Sequence, residues 1–243
     1  MATPPPFVAS YDISDSPGSF SWGSSTTPKT VDVTVAAGDI LVVLASTSSP
    51  SKTVGTPSGG GLTYTLNTSV ESVSSRCNVY LWSAPCASSQ TFTLSGSRTA
   101  GSGAFGFAAF RFGANGGTGA ATATNSATGN PSLGITTTQN NSAIVVVTAD
   151  WNGLDGATRA YPTVNGSAPV ERTYQLSLGS YTTYGVYYAD AGAAGSKTVG
   201  MSAPTGQQWS IAALEVIGTA GGGGGTFAPP PVSPIVRLQP YFG

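Results

Sequence analysis

The chain has 243 residues, of which 8% are charged, and 9 basic against 10 acidic side chains leave a formal net charge of −1. That balance excludes the basic footprint demanded by nucleic acid or an anionic membrane surface. Hydrophobic residues at 40% exclude a chain held unfolded by its own charge, and the absence of histidine removes the commonest general base and metal ligand.

Residues 1–18 read as a Pro-rich leader ending in the turn residues Asp12, Asp15, Pro17 and Gly18. The opening MATPPPFVAS has neither the basic n-region nor the long apolar stretch of a secretory signal. No apolar run nears the ~18 residues of a membrane helix. The expectation is a protein made in the cytoplasm and released by lysis.

From about Ser19 to Gly218 the 33 glycines and 17 prolines of the chain punctuate short β-branched and aromatic runs. The spacing predicts strands at Thr30–Val35, Asp39–Ala45, Leu62–Leu66, Asn78–Trp82, Thr91–Leu94 and Phe105–Phe112. A Gly/Thr/Ala-rich connection follows, and six more strands are predicted at Leu133–Thr138, Ala143–Ala149, Val170–Leu178, Tyr184–Ala189, Thr198–Met201 and Trp209–Val216. Beyond Gly218 the composition changes. Gly221–Gly225 make a flexible hinge and Pro229–Pro231 a stiff polyproline spacer. Phe227, Ile235, Val236, Arg237, Leu238, Tyr241 and Phe242 then form an apolar end suited to docking on a partner. The alternative is a tail that folds back on its own body.

The two sets of strands resemble each other. Ile40–Ala45 aligns with Ile144–Ala149 at an offset of 104, Tyr80–Ala84 with Val186–Asp190 at 106, Gln90–Leu94 with Lys197–Met201 at 107, and Phe105–Phe112 with Trp209–Val216 at 104. Two halves, about 19–113 and 131–218, could be tandem domains or one sandwich. A half of about a hundred residues is marginal alone, which favours one pseudo-symmetric, jelly-roll-like β-sandwich of about twelve strands with an extended C-terminal arm.

Ala37-Gly38-Asp39-Ile40-Leu41-Val42-Val43, Gly61–Leu66, Val79–Ala84, Thr91–Ser97 and Ala109–Gly113 together resemble a β-sandwich module of actinobacteriophage virion proteins and bacterial surface proteins. Leu62 stands where that module usually carries an aromatic. The resemblance implies a scaffold of the virion or cell surface, with no catalytic residue carried over. It directs the expectation to a tailed-phage structural protein: a minor tail protein first, a head decoration protein second. Its partners would be other virion subunits, with the protein in symmetric copies.

Sites of chemistry are few. Asp150-Trp151-Asn152-Gly153-Leu154-Asp155-Gly156 places oxygen ligands on a Gly-containing loop, but it lacks the spacing of an EF-hand and reads as a strand-end turn. Asp12 and Asp15 flank a Ser-Pro-Gly turn and read as turn caps rather than an acid–base pair. Gly59–Gly61 and Gly101–Gly106 open strands, not helices, so neither makes a phosphate loop. In a strand across Tyr181–Tyr188, Tyr181 and Tyr187 share one face and Tyr184 and Tyr188 the other. If one face is exposed, Tyr184, Tyr188 and Trp151 could stack on sugar rings of a host cell-wall glycan or meet a protein partner. Cys77 and Cys86 flank an extended segment, too far apart for a bridge, and read as buried thiols. No enzyme activity, metal or cofactor is expected.

Overall fold

The computed structural model describes residues 3–12, 28–48, 53–71, 73, 76–98, 105–151, 159–177 and 181–219. They form an all-β fold of fourteen strands. The first seven are β1 (Phe7–Asp12), β2 (Lys29–Val35), β3 (Ile40–Thr47), β4 (Thr65–Glu71), β5 (Asn78–Pro85), β6 (Gln90–Gly96) and β7 (Phe105–Phe112). The second seven are β8 (Asn115–Ser126), β9 (Ser132–Thr137), β10 (Ala143–Trp151), β11 (Val170–Ser177), β12 (Tyr181–Tyr188), β13 (Gly195–Gly200) and β14 (Gln208–Gly218).

Within each set the pairing is nested. β1 pairs with β7, β2 with β6 and β3 with β5; then β8 pairs with β14, β9 with β13 and β10 with β12. This is one long antiparallel ribbon folded over on itself, the winding of a jelly roll, performed twice. The five-stranded sheets have matching orders, β1-β7-β3-β5-β4 and β8-β14-β10-β12-β11, and each is accompanied by a two-stranded ribbon, β2-β6 or β9-β13.

The sheets stack in four layers. The two five-stranded sheets meet face to face through a central core that includes Val42, Leu44, Leu81, Phe110 and Phe112 from the first set and Val145, Val147, Tyr187, Leu214 and Val216 from the second. The outer face of the first sheet (Leu41, Val43, Trp82, Phe107) is closed by Val33, Val35 and Leu94 of its ribbon. The outer face of the second (Ile144, Val146, Tyr188, Ile211) is closed by Leu133, Ile135 and Val199. Each such side chain contributes roughly 1.5–3 kcal/mol on burial. The ribbons alternate buried and exposed positions, while β3, β5 and β12 are buried nearly end to end because both their faces are covered.

The fold class read from sequence holds, with one correction. The described residues form fourteen strands, not about twelve. The two that the reading omitted are β1, inside the supposed leader, and β8, inside the supposed connection. The halves share one sandwich through the central core, and each adds a two-stranded ribbon over its own outer face.

The repeat is real element by element, but its register differs from the sequence alignment. Phe110 and Leu214 both line the central core, and they pair with Val42 and Val145 respectively. Val42 therefore corresponds to Val145, an offset of 103. The alignment of Ile40 with Ile144 slips by one residue, and in a strand one residue exchanges the faces. Ile40 lies in the central core and Ile144 in the outer one.

β3 and β10 run in the same direction on either side of the central core. Their ends are fixed by contacts across it: Ser46 Oγ lies 2.9 Å from Thr183 Oγ1, Ser210 Oγ donates to Cys77 O at 2.6 Å, and Phe7 stacks on Tyr187 at 4.4 Å. The approximate dyad relating the halves therefore runs along the strands and gives the molecule two unlike poles. One pole holds Ala36–Asp39, Gly113, Thr138–Ser142 and Gly218. The other holds Thr47, Asn78, Trp151, Tyr181 and Gln208.

Candidate functional site

At the first pole the chain enters and leaves. Thr3 bridges Thr219, and their hydroxyls lie 3.3 Å apart. Gly218 is held close by the carbonyl oxygen of Thr3, where a Cβ would collide. The segments before Thr3 and after Thr219 thus depart from one place.

That pole is tied by two versions of one device. In the first half Asp39 Oδ2 accepts from Ala36 N at 2.6 Å and from Arg111 Nε at 2.5 Å, and Arg111 also donates to Thr34 O at 3.1 Å. In the second half Glu215 stands where Arg111 does and Ser142 where Asp39 does. Glu215 is fully buried. Its carboxylate accepts from Ala120 N at 2.8 Å, Thr138 N at 2.9 Å, Thr138 Oγ1 at 2.9 Å, Gln139 N at 3.1 Å and Ser142 Oγ at 2.7 Å. Burial raises its carboxyl, but the donors of Ala120, Ser142, Thr138 and Gln139 outweigh burial and hold it below the usual range. The sequence reading singled out none of these residues. The signal was present: a lone acid within the apolar run Trp209–Val216 must be satisfied or removed.

The opposite pole carries the aromatic candidates. Trp151 ends β10, half-buried, with the Arg76 guanidinium 4.7 Å from its ring centroid. Tyr184 and Tyr188 do lie on the face opposite Tyr187, as parity requires, but both are 1% exposed. Tyr188 packs under the β9-β13 ribbon and donates to Pro162 O at 3.2 Å. Neither offers a ring face to a sugar: the ribbon layer covers Tyr188, and Tyr184 is buried beside Tyr174 and Asp150. Of the three, Trp151 alone keeps access to solvent.

Behind Trp151 lies a second fully buried carboxylate. Tyr184 OH donates to Asp150 Oδ2 at 3.1 Å, while Asp150 Oδ1 and the Gln207 side-chain oxygen have no hydrogen-bond partner among the described residues. Burial pushes the Asp150 carboxyl up to about 7, against the lowering effect of hydrogen bonds from Tyr184, Thr182 and Gln207. Asn152 to Gly156 of the acidic loop lie outside the described residues, so only Asp150 and Trp151 of that motif are placed.

A further polar group flanks Tyr174. Arg159 donates to Glu171 with both Nε (2.5 Å) and Nη2 (2.6 Å), Tyr161 OH adds a third bond, and the guanidinium stacks 4.2 Å from the Tyr174 ring centroid. These carboxylates hold structure: Asp150 and Glu215 are sealed from solvent, and Glu171 is neutralised by Arg159. Cys77 and Cys86 are buried thiols that are not joined in a disulfide. The docking residues Phe227, Ile235, Val236, Arg237, Leu238, Tyr241 and Phe242 lie outside the described residues.

No family model matches the chain, and no curated protein or solved structure matches it.

Proposed function

We propose that the protein is a non-enzymatic structural component of a tailed-phage virion, a minor tail protein docked through its C-terminal arm, with head decoration as the alternative placement. One observation carries the docking half of this reading: the segments before Thr3 and after Thr219 leave from a single pole. A partner gripping the arm there would hold the sandwich upright, with the Trp151 pole facing away. The fold suits display, since its two large sheets and two ribbons close over one another and the Glu215 carboxylate is held by five donors. The partners would be capsid or tail subunits, in symmetric copies.

The test is a chain ending after Thr219. It keeps all fourteen strands, so it should stay folded and soluble while failing to join particles. Full occupancy of the truncated chain in particles would overturn the reading. A second reading, adhesion to host cell-wall glycan, is favoured only by the position of Trp151 at the outward pole. Binding to cell-wall polysaccharide that disappears in Trp151→Ala would support it.

A further inference from the structure

The two sides on which the large sheets end carry opposite chemistry. β1 and β11 are the edge strands on one side, where Phe7 stacks on Tyr187. β4 and β8 are the edge strands on the other, where the Asn125 side chain of β8 donates to Glu71 O of β4. Among the described residues four large apolar side chains are exposed, and they divide evenly between the sides. On the first, Val8 follows Phe7 in β1 and Val170 of β11 is paired with Tyr187. On the second, Leu66 lies in β4 and Val73 two residues beyond its end.

Each side also holds one charge with no counter-charge among the described residues. On the first, the bulge between Glu171 and Thr173 turns Arg172 out of the ladder and over the Phe7 ring, 4.3 Å from its centroid. Its Nη2 donates to Tyr187 OH at 3.3 Å, and its Nε is buried with no hydrogen-bond partner. The acids nearest it in the fold are already engaged, Glu171 by Arg159 and Asp39 by Arg111. A guanidinium stacked on a ring keeps its edge available to a carboxylate. On the second side Glu71 ends β4 with an exposed side chain. Asn125 uses its backbone oxygen, and Arg76, the cation closest in sequence, stacks on Trp151 instead.

We propose that the protein self-associates head to tail: the Glu71 side of one copy docks on the Arg172 side of the next, carboxylate to guanidinium, with Leu66 and Val73 packed against Val170 and Val8. Like sides would set Arg172 against Arg172 or Glu71 against Glu71, so copies meet in one sense only. The two patches differ and lie on opposite sides, so the contact is heterologous and repeats instead of closing as a two-fold dimer. Glu71 is at the Trp151 pole and Arg172 is five residues short of it along β11, so neighbours are staggered by about 15 Å. The contact uses the folded body alone and goes beyond the docking reading.

The experiment measures the mass of the full-length protein by sedimentation and light scattering from about 1 to 500 μM. The expected mass rises with concentration and passes that of a dimer. Glu71→Arg and Arg172→Glu should each weaken association about tenfold or more, and the double variant should recover most of it. Leu66→Ser should weaken it as well. A monomeric wild type throughout that range would overturn the proposal. So would association unchanged in Glu71→Arg, or a double variant no better than the single ones. Should Arg172→Glu disturb the Phe7 edge and fail to fold, Glu71→Arg and Leu66→Ser decide the matter, because both lie on an exposed strand. Incorporation into particles is not the readout, so failure here leaves docking through the arm standing.

Discussion

Glu215 and Asp150 are both sealed from solvent, and their surroundings drive them in opposite directions. Glu215 meets five donors and is held below its ordinary value, so its contribution to stability is present above pH 4.5 and is lost as pH falls through the lower folded value. Glu215→Gln should lower the unfolding free energy by about 2–4 kcal/mol in urea at pH 7, with the gap narrowing in acid as the wild type weakens. Asp150 sits at about 7 when folded against 3.8 when free. Its burial therefore costs nothing below pH 3.8, weakens the fold progressively as pH rises to about 7, and costs a constant amount above that. Asp150→Asn supplies an N–H where Oδ1 has no partner and retains an acceptor for Tyr184. It should raise stability by about 1–3 kcal/mol at pH 8 and leave it unchanged near pH 4, as measured by denaturant midpoints across pH. The sequence marked Glu215 as an acid needing partners but did not say which way either carboxylate would shift. A carboxylate's fate depends on donors that are distant in sequence: Thr138 and Gln139 reach Glu215 from 77 and 76 residues away.

At the scale of the strand, Gly185 in the middle of β12 shows how tightly the two sheets meet. A Cβ there would collide with the Thr173 methyl on β11 and touch Leu44 and Phe110 of the opposing sheet, each at 3.4 Å. Gly185→Ala should destabilise by about 1–3 kcal/mol through overpacking, read as a lower thermal midpoint with an unchanged far-ultraviolet spectrum. Strand identity was largely legible, because Val, Ile, Thr and aromatic runs between turn residues have few other uses. β1 and β8 escaped because their compositions point elsewhere: three prolines precede the first, and the second is built of Gly, Ala, Thr, Ser and Asn. Pairing partners, not propensity, make these segments strands. The one-residue slip between β3 and β10 has a related origin. A run buried on both faces carries no alternation, so nothing local in ILVVLA or IVVVTA marks which side faces the centre.

For the molecule as a whole, the same uninterrupted apolar runs held information that the strand count did not. A sandwich of two layers leaves one face of every strand open to water and predicts alternation throughout. Continuous burial in β3, β5 and β12 requires a layer on each side, hence four layers and two complete windings. Once the windings are separate, the duplicated frame can hold different chemistry at equivalent points: an Arg111–Asp39 pair at one, and a lone Glu215 with Ser142 at the other. Because the approximate dyad runs from the pole of Thr3 and Thr219 to the pole of Trp151, rotating the globule by half a turn about it reproduces nearly the same silhouette. At a resolution too coarse to separate side chains, an averaged image of any array bearing this protein would superimpose the two rotational settings. The tail, present once for the pair of lobes, would be the feature that tells them apart.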